Sequence, residues 1–187
     1  KQARPHLYFS VPQVYQQIVS RVLIDKMVKE VFFHPELKFV FTAAAPLPLS
    51  VSDVFKRNNI PVVEGWGLTE TSPCCTLTEQ KLDRTPGIVG IPIPEVELKF
   101  AEEQEILVRG PNIMKGYYKL PEETKKVLDD DGWFYTGDVG EYTEEGLKIV
   151  SRKDRIFKLA NAEKVFPVKI EESVRKKCNY IRFIYVL

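Results

Sequence analysis

The residues best suited to chemistry fall into three short runs. The first is Glu64-Gly65-Trp66-Gly67-Leu68-Thr69-Glu70-Thr71. Two glycines flank an aromatic directly after an apolar strand pattern, so the backbone can turn sharply and a ligand can come close. A hydroxyl and a carboxylate follow. Together these groups suit a nucleotide, with Trp66 offering a ring face to a base, Thr69 a hydroxyl to a phosphate and Glu70 a carboxylate to Mg²⁺. Base stacking of this kind contributes about 1–3 kcal/mol. The same run also reads as a glycine-rich turn that leaves Trp66 in the core.

The second run is Asp131-Gly132-Trp133-Phe134-Tyr135-Thr136-Gly137-Asp138. An ionised carboxylate only accepts hydrogen bonds, so Asp138 could take both hydroxyls of a ribose; in isolation the run is equally an Asx-type turn. The third, Ser151-Arg152-Lys153-Asp154-Arg155-Ile156-Phe157-Lys158, has the composition of a solvated charged loop or a hinge. Cys74 and Cys75 follow the first run. They read as small buried thiols, or as the lining of an acyl pocket. His6 and His34 are isolated, with no cysteine or carboxylate at ligand spacing.

Short apolar strands alternate with helical stretches around these runs, the pattern of an α/β protein. Helical spacing is predicted over Pro12–Val22 and again from Asp25 to Phe33. Leu37–Thr42 reads as a strand closed by Ala43-Ala44-Ala45-Pro46. Ser50–Asn58 reads as a helix, with Ser50 as N-cap and Asp53 at the capping-box position. Pro61–Val63 is the next strand, which Gly65-Trp66-Gly67 should break. Beyond Pro86 the texture changes: Val96, Leu98, Phe100 and then Ile106, Val108 alternate with polar neighbours, as half-buried antiparallel strands do. Pro121–Leu128 is a short helix, Leu147–Val150 a strand and Pro167–Lys177 a helix. The closing run Ile181–Leu187 reads as a buried strand, and the chain opens without Met, so a piece of something longer is expected.

The 187 residues are 44% hydrophobic and 28% charged with a formal net charge of +1. That balance gives no argument for nucleic acid. No apolar run approaches the roughly 18–20 residues that span a bilayer. Three cysteines without a CxxC favour neither a disulfide framework nor a zinc site and fit a reducing, cytoplasmic setting.

The first run resembles the aromatic-Gly-Leu-Thr-Glu motif of the adenylate-forming (ANL) superfamily. Thr42-Ala43-Ala44-Ala45-Pro46-Leu47 is similar to that family's Ser-Gly-Gly-Ala-Pro-Leu segment, with alanines for both glycines. The second run matches Gly-Trp-Phe-x-Thr-Gly-Asp, and the third the family hinge. Leu159-Ala160-Asn161-Ala162-Glu163-Lys164 is similar to the Leu-x-Asn-Gly-Glu-Lys segment of long-chain fatty acyl-CoA synthetases, with Ala162 for Gly. Arg109–Tyr118 also matches, in a part that is mainly structural in the family. The ordered matches run from about Phe9 to Glu172.

The resemblance implies an α/β fold: part of the large N-terminal domain of an adenylate-forming enzyme (a sheet plus a distorted antiparallel β-barrel), with the start of a small α+β C-terminal domain. Residues 1–151 would belong to the AMP-binding domain, and 152–187 would be the hinge and the beginning of the next. It implies ATP-dependent activation of a carboxylic acid, a long-chain fatty acid, to an acyl-adenylate, then transfer to CoA. An acyl-AMP ligase loading a carrier protein and a non-catalytic nucleotide-binding module remain alternatives. Thr69 and Glu70 would be catalytic, with Glu70 on Mg²⁺. Ala44, Ala45, Pro46, Glu64, Gly65, Trp66, Gly67, Leu68, Thr69, Asp138 and Arg152 would bind nucleotide. Asp154 would be the hinge, and Asn161, Ala162, Glu163 and Lys164 would face CoA. The implied ligands are the acid, ATP, Mg²⁺ and CoA; peripheral membrane contact stays open. The family's phosphate loop and adenylation lysine are not among these residues, so the 187-residue polypeptide alone is expected to be inactive.

Overall fold

The computed structural model describes residues 4–85, 87–159, 164–178, 184 and 186. The first part is a parallel sheet edge of three strands, β1 (Leu7–Phe9), β2 (Phe39–Thr42) and β3 (Val62–Trp66), with Leu7 opposite Phe39 and Val40 opposite Val62. Helices α1 (Pro12–Val22), α2 (Lys26–Phe32) and α3 (Leu49–Arg57) connect them. Parallel neighbours need such crossovers, and the crossovers bring the apolar stripes of the helices onto the sheet. Tyr15, Val19, Val22, Val40, Val51, Val54, Phe55 and Val62 form one core. Tyr15 ties it together: its hydroxyl donates to the carbonyls of Tyr8 and Phe41, each at 2.8 Å, and its ring meets Phe55 edge-on at 5.4 Å.

Two local expectations change here. Asp25 caps α2 by accepting from the Met27 and Val28 amides, but Ser50 does not cap α3. Pro48 occupies that N-cap with φ −59° and no side-chain bond, so the helix starts at Leu49 and Ser50 falls inside the first turn. Asp53 therefore has no cap to complete. The β3 strand also continues through Gly65 and Trp66 instead of ending before them. Both pair antiparallel with β4 (Thr76–Leu77), and at that point the sheet changes from parallel to antiparallel.

The second part continues the same nine-stranded sheet in the order β1-β2-β3-β4-β5-β9-β8-β7-β6. Its strands are β5 (Ile88–Pro92), β6 (Glu97–Phe100), β7 (Glu105–Arg109), β8 (Phe134–Thr143) and β9 (Gly146–Arg152), all antiparallel to their neighbours. Helix α4 (Pro121–Val127) lies between β7 and β8, with Pro at its first turn. A second core gathers Trp66, Cys75, Val89, Val96, Ile106, Val108, Phe134 and Leu147. Alternation was expected for β7, yet Glu105 through Val108 are all buried. Glu105 is retained inside because Gly137 N–H and the Lys153 ammonium both donate to its carboxylate, at 3.1 and 2.6 Å.

The sheet curls strongly. In a flat sheet β3 and β8, four places apart, would be separated by roughly 19 Å. Instead the Trp66 side chain on β3 reaches Asp138 on β8 at hydrogen-bond distance, 2.9 Å. The closing turn of β9 leads into a single helical turn at Lys153–Arg155, a small antiparallel pair of β10 (Phe157–Lys158) with β11 (Lys164–Val165), and α5 (Pro167–Lys177). Arg155 pairs with the buried Glu171 of α5. The strand expected over Ile181–Leu187 lies outside the described residues, apart from Ile184 and Val186, which belong to no strand.

Candidate functional site

The site is built where the two parts of the sheet meet. From β3 the chain passes Gly67 and Leu68 into a helical turn at Thr69–Thr71. Thr71, fully buried, locks the turn by accepting from the Leu68 amide at 2.8 Å and donating to the Leu68 carbonyl at 3.0 Å. Thr69 is left exposed and Glu70 half-exposed. The room made by the two glycines is used by the chain itself. A Cβ on Gly65 would strike the Phe41 ring and Leu77, and one on Gly67 would strike the Pro73 carbonyl. These glycines therefore serve close packing behind the turn, where the sequence suggested approach of a ligand.

Glu70 is held from a loop the sequence left without a chemical role. Tyr117 donates its hydroxyl to Glu70 Oε1 at 2.9 Å, and Met114 N–H donates to the Glu70 carbonyl at 2.8 Å. Asn112 Nδ2 donates to the carbonyls of Thr71 and Cys74, at 3.0 and 2.9 Å. Desolvation, then the bond to Glu70, pushes the Tyr117 phenol above its ordinary value. Spacing could not find this pair, since 47 residues separate the partners.

Asp138 is the centre of the second group. It is 7% exposed, and each carboxylate oxygen has a protein donor. Trp66 Nε1 donates to Oδ2 at 2.9 Å and Arg152 Nη1 to Oδ1 at 3.0 Å; Arg152 also donates to the Thr136 carbonyl at 3.1 Å. Asp138 and Arg152 face each other across β8 and β9, whose register pairs them directly. The Trp66 ring is 8% exposed within the second core. Strand pairing thus brings together three of the sequence's candidates from positions far apart in the chain.

The remaining candidates are dispersed. Ala44, Ala45 and Pro46 form an exposed loop after β2. Ala44 has φ +74°, a left-handed backbone that favours glycine. Glu64 is buried against Arg84 in an ion pair whose guanidinium burial pushes down from its ordinary value. Asp154 lies exposed in the turn after β9. Asn161, Ala162 and Glu163 lie outside the described residues, and Lys164 is described only as the start of β11. Cys75 is fully buried, and Cys74 sits beside it with its thiol on the Thr76 carbonyl; burial raises both thiols.

Residues 1–118 match the model of the AMP-binding enzyme family. The chain belongs to that family. Among curated relatives of this AMP-binding chain, human long-chain-fatty-acid–CoA ligase 6 is 43% identical over 148 residues, covering 72% of this chain and 21% of the relative. A putative fatty-acid–CoA ligase, fadD11, of Mycobacterium tuberculosis strain H37Rv is 38% identical over 144 residues, covering 76% and 25%. The chain spans about a quarter of the length of the curated relatives it matches. Among solved structures, apo MatB from Rhodopseudomonas palustris superposes with a TM-score of 0.76 at 28% identity, covering 91% of this chain and 35% of that one. The O-succinylbenzoate coenzyme A synthetase of Bacillus subtilis, determined in complex with ATP and a magnesium ion, has a TM-score of 0.75 at 21% identity, covering 90% and 36%, and bears on the fold alone. The fold is thus that of the N-terminal domain of adenylate-forming enzymes, as the motifs implied. Among the described residues no helix is long and apolar enough to cross a membrane.

Proposed function

We propose that this chain supplies the adenosine and α-phosphate side of the active site in a carboxylate–CoA ligase acting on long-chain fatty acids. The observation that carries the reading is the convergence of Trp66 and Arg152 on the one buried carboxylate of Asp138 at the seam of the sheet. The ligase relatives support the acid and CoA as substrates.

In the reaction, a carboxylate oxygen of the acid attacks the α-phosphorus of ATP and pyrophosphate leaves. The CoA thiolate then attacks the acyl carbonyl, the new C–S bond forms, and AMP departs with the electron pair of the broken C–O bond. Asp138 accepts from the ribose hydroxyls, and the partly exposed Arg152 reaches the same sugar while holding the carboxylate in place. Thr69, exposed at the turn, presents its hydroxyl to the α-phosphate, and Ala44, Ala45 and Pro46 line the adenine side. Each positioned group lowers the cost of orienting the reactants.

The Glu70 carboxylate, half-exposed at the turn, fits Mg²⁺. Among the described residues no group of three or more His, Cys, Asp or Glu could hold a metal alone. A single half-exposed carboxylate completed by phosphate oxygens and water is the arrangement Mg²⁺ favours. The ion would neutralise phosphate charge, and Tyr117 would fix the side chain that holds it. Residues 1–151 would form the nucleotide domain. Rotation about Asp154 would bring 152–187, including Asn161, Ala162, Glu163 and Lys164, to the CoA side.

Titrating AMP into the full-length protein by calorimetry tests the reading. Asp138→Ala should weaken AMP by roughly a hundredfold, the size of two hydrogen bonds to a charged group. Equal affinity in that variant would remove the ribose site. Supplying CoA beside a carrier protein in a thioester assay separates CoA ligation from carrier loading.

A further inference from the structure

We infer that Trp66 is a positioning residue for ribose recognition, acting through Asp138 and not only through a ring face; the inference rests on the nucleotide reading above. Three observations lead to it. The indole ring is buried in the second core, so its plane and edge are fixed by packing. Its N–H, which can only donate, points at Asp138 Oδ2 at 2.9 Å. The opposite oxygen is held by Arg152 at 3.0 Å, and Arg152 is itself anchored on the Thr136 carbonyl.

An ionised carboxylate has about four lone-pair sites on its two oxygens. Trp66 and Arg152 take one on each. What remains is one site per oxygen, enough for the two vicinal hydroxyls of a ribose. The terminal torsion of an aspartate is broad, so without these two donors the carboxylate plane would wander. Arg152 alone leaves that torsion free to swing about one contact. Trp66 supplies the second fixed point from a strand four places away in the sheet order, and so ties the ribose acceptor to the curl of the sheet. A phenol at position 66 would place its polar atom at the far end of a single ring, with a different reach. Because the contact acts on the sugar, its loss should reduce the preference for ribose over deoxyribose. Any loss of base stacking would weaken both kinds of nucleotide alike.

The test compares the affinities of AMP, 2′-deoxy-AMP and 3′-deoxy-AMP for the full-length protein by calorimetry, in the wild type, W66F and D138A. A further variant replaces Trp66 by 3-benzothienylalanine, which keeps the ring shape and exchanges N–H for sulfur, and so guards against a folding defect in W66F. The expected result is a wild-type preference for AMP that falls by roughly tenfold in both Trp66 variants, the size of one charge-assisted hydrogen bond. If the wild type discriminates, D138A loses discrimination and the benzothienyl variant keeps it in full, the inference is overturned while the ribose site stands. If the wild type itself shows no preference, the ribose site and the inference fall together.

Discussion

The parallel and antiparallel parts of the sheet solve different problems. Around β1–β3 the main cluster is apolar, Tyr15 and Phe55 packed among valines, with the Tyr15 hydroxyl satisfied by two backbone carbonyls. The polar groups buried beside it, His34, Thr42, Ser52 and Glu64, include a single carboxylate, paired with Arg84. Around β7–β9 the buried set includes Glu105, Thr136, Asp138 and Ser151. There each buried carboxylate is held by donors from another strand or turn: Glu105 by Gly137 and Lys153, Asp138 by Trp66 and Arg152. The first region is a platform. The second sets two buried carboxylates with donors on both oxygens close to the candidate site; leaving them unpartnered would be costly, so their orientation is specific. The candidate site sits on the border, with the Thr69–Thr71 turn arriving from the platform and Asp138 and Arg152 from the curled part.

Phe55→Ala should give the largest effect. Removing a fully buried ring from the platform costs about 3–5 kcal/mol. Chemical denaturation should show that loss, while AMP affinity of the folded fraction stays within twofold of wild type. A large drop in affinity as well would mean that the two regions are not separable. Tyr117→Phe should act the other way, on the site and not on stability. Deleting its bond to Glu70 should raise the Mg²⁺ concentration needed for ATP binding by roughly fivefold, the scale of about 1 kcal/mol for one hydrogen bond. Mg²⁺ titration against bound ATP, alongside Mg²⁺-independent AMP binding, reads it directly. If both constants stay fixed, the loop from Asn112 to Tyr117 is scaffold only. The smallest shift is expected from Ala44→Gly, which relieves the left-handed backbone at φ +74° against the entropic cost of glycine and should stabilise the protein by about 0.5 kcal/mol. A destabilised variant would show that Ala44 makes contacts worth more than the strain.

Much of the platform is legible from periodicity. Helix α1 has the bounds its apolar spacing predicts, and α2 falls within the span predicted from Asp25 to Phe33. Periodicity failed where neighbours overrode local preference. Gly65 should have ended β3, but pairing with Leu77 and packing against Phe41 keep it in the strand. Alternation suggested a half-solvated β7, but the curl of the sheet and the partners of Glu105 bury it whole. Local sequence does not contain that information, because strand propensity depends on what packs above and below.

By itself the sequence determined which residue types exist to do chemistry and in what order: a hydroxyl and carboxylate after a glycine turn, an aspartate after another, an arginine just before a charged turn. Together with the order of the motifs that was enough to point to the AMP-binding family. Only the tertiary structure decided which of them meet. Trp66 and Asp138 are 72 residues apart, and Tyr117 and Glu70 are 47 apart. Side-chain contacts over such separations follow from strand order, register and curl. These are set by burying two cores at once and cannot be read from any window of the chain.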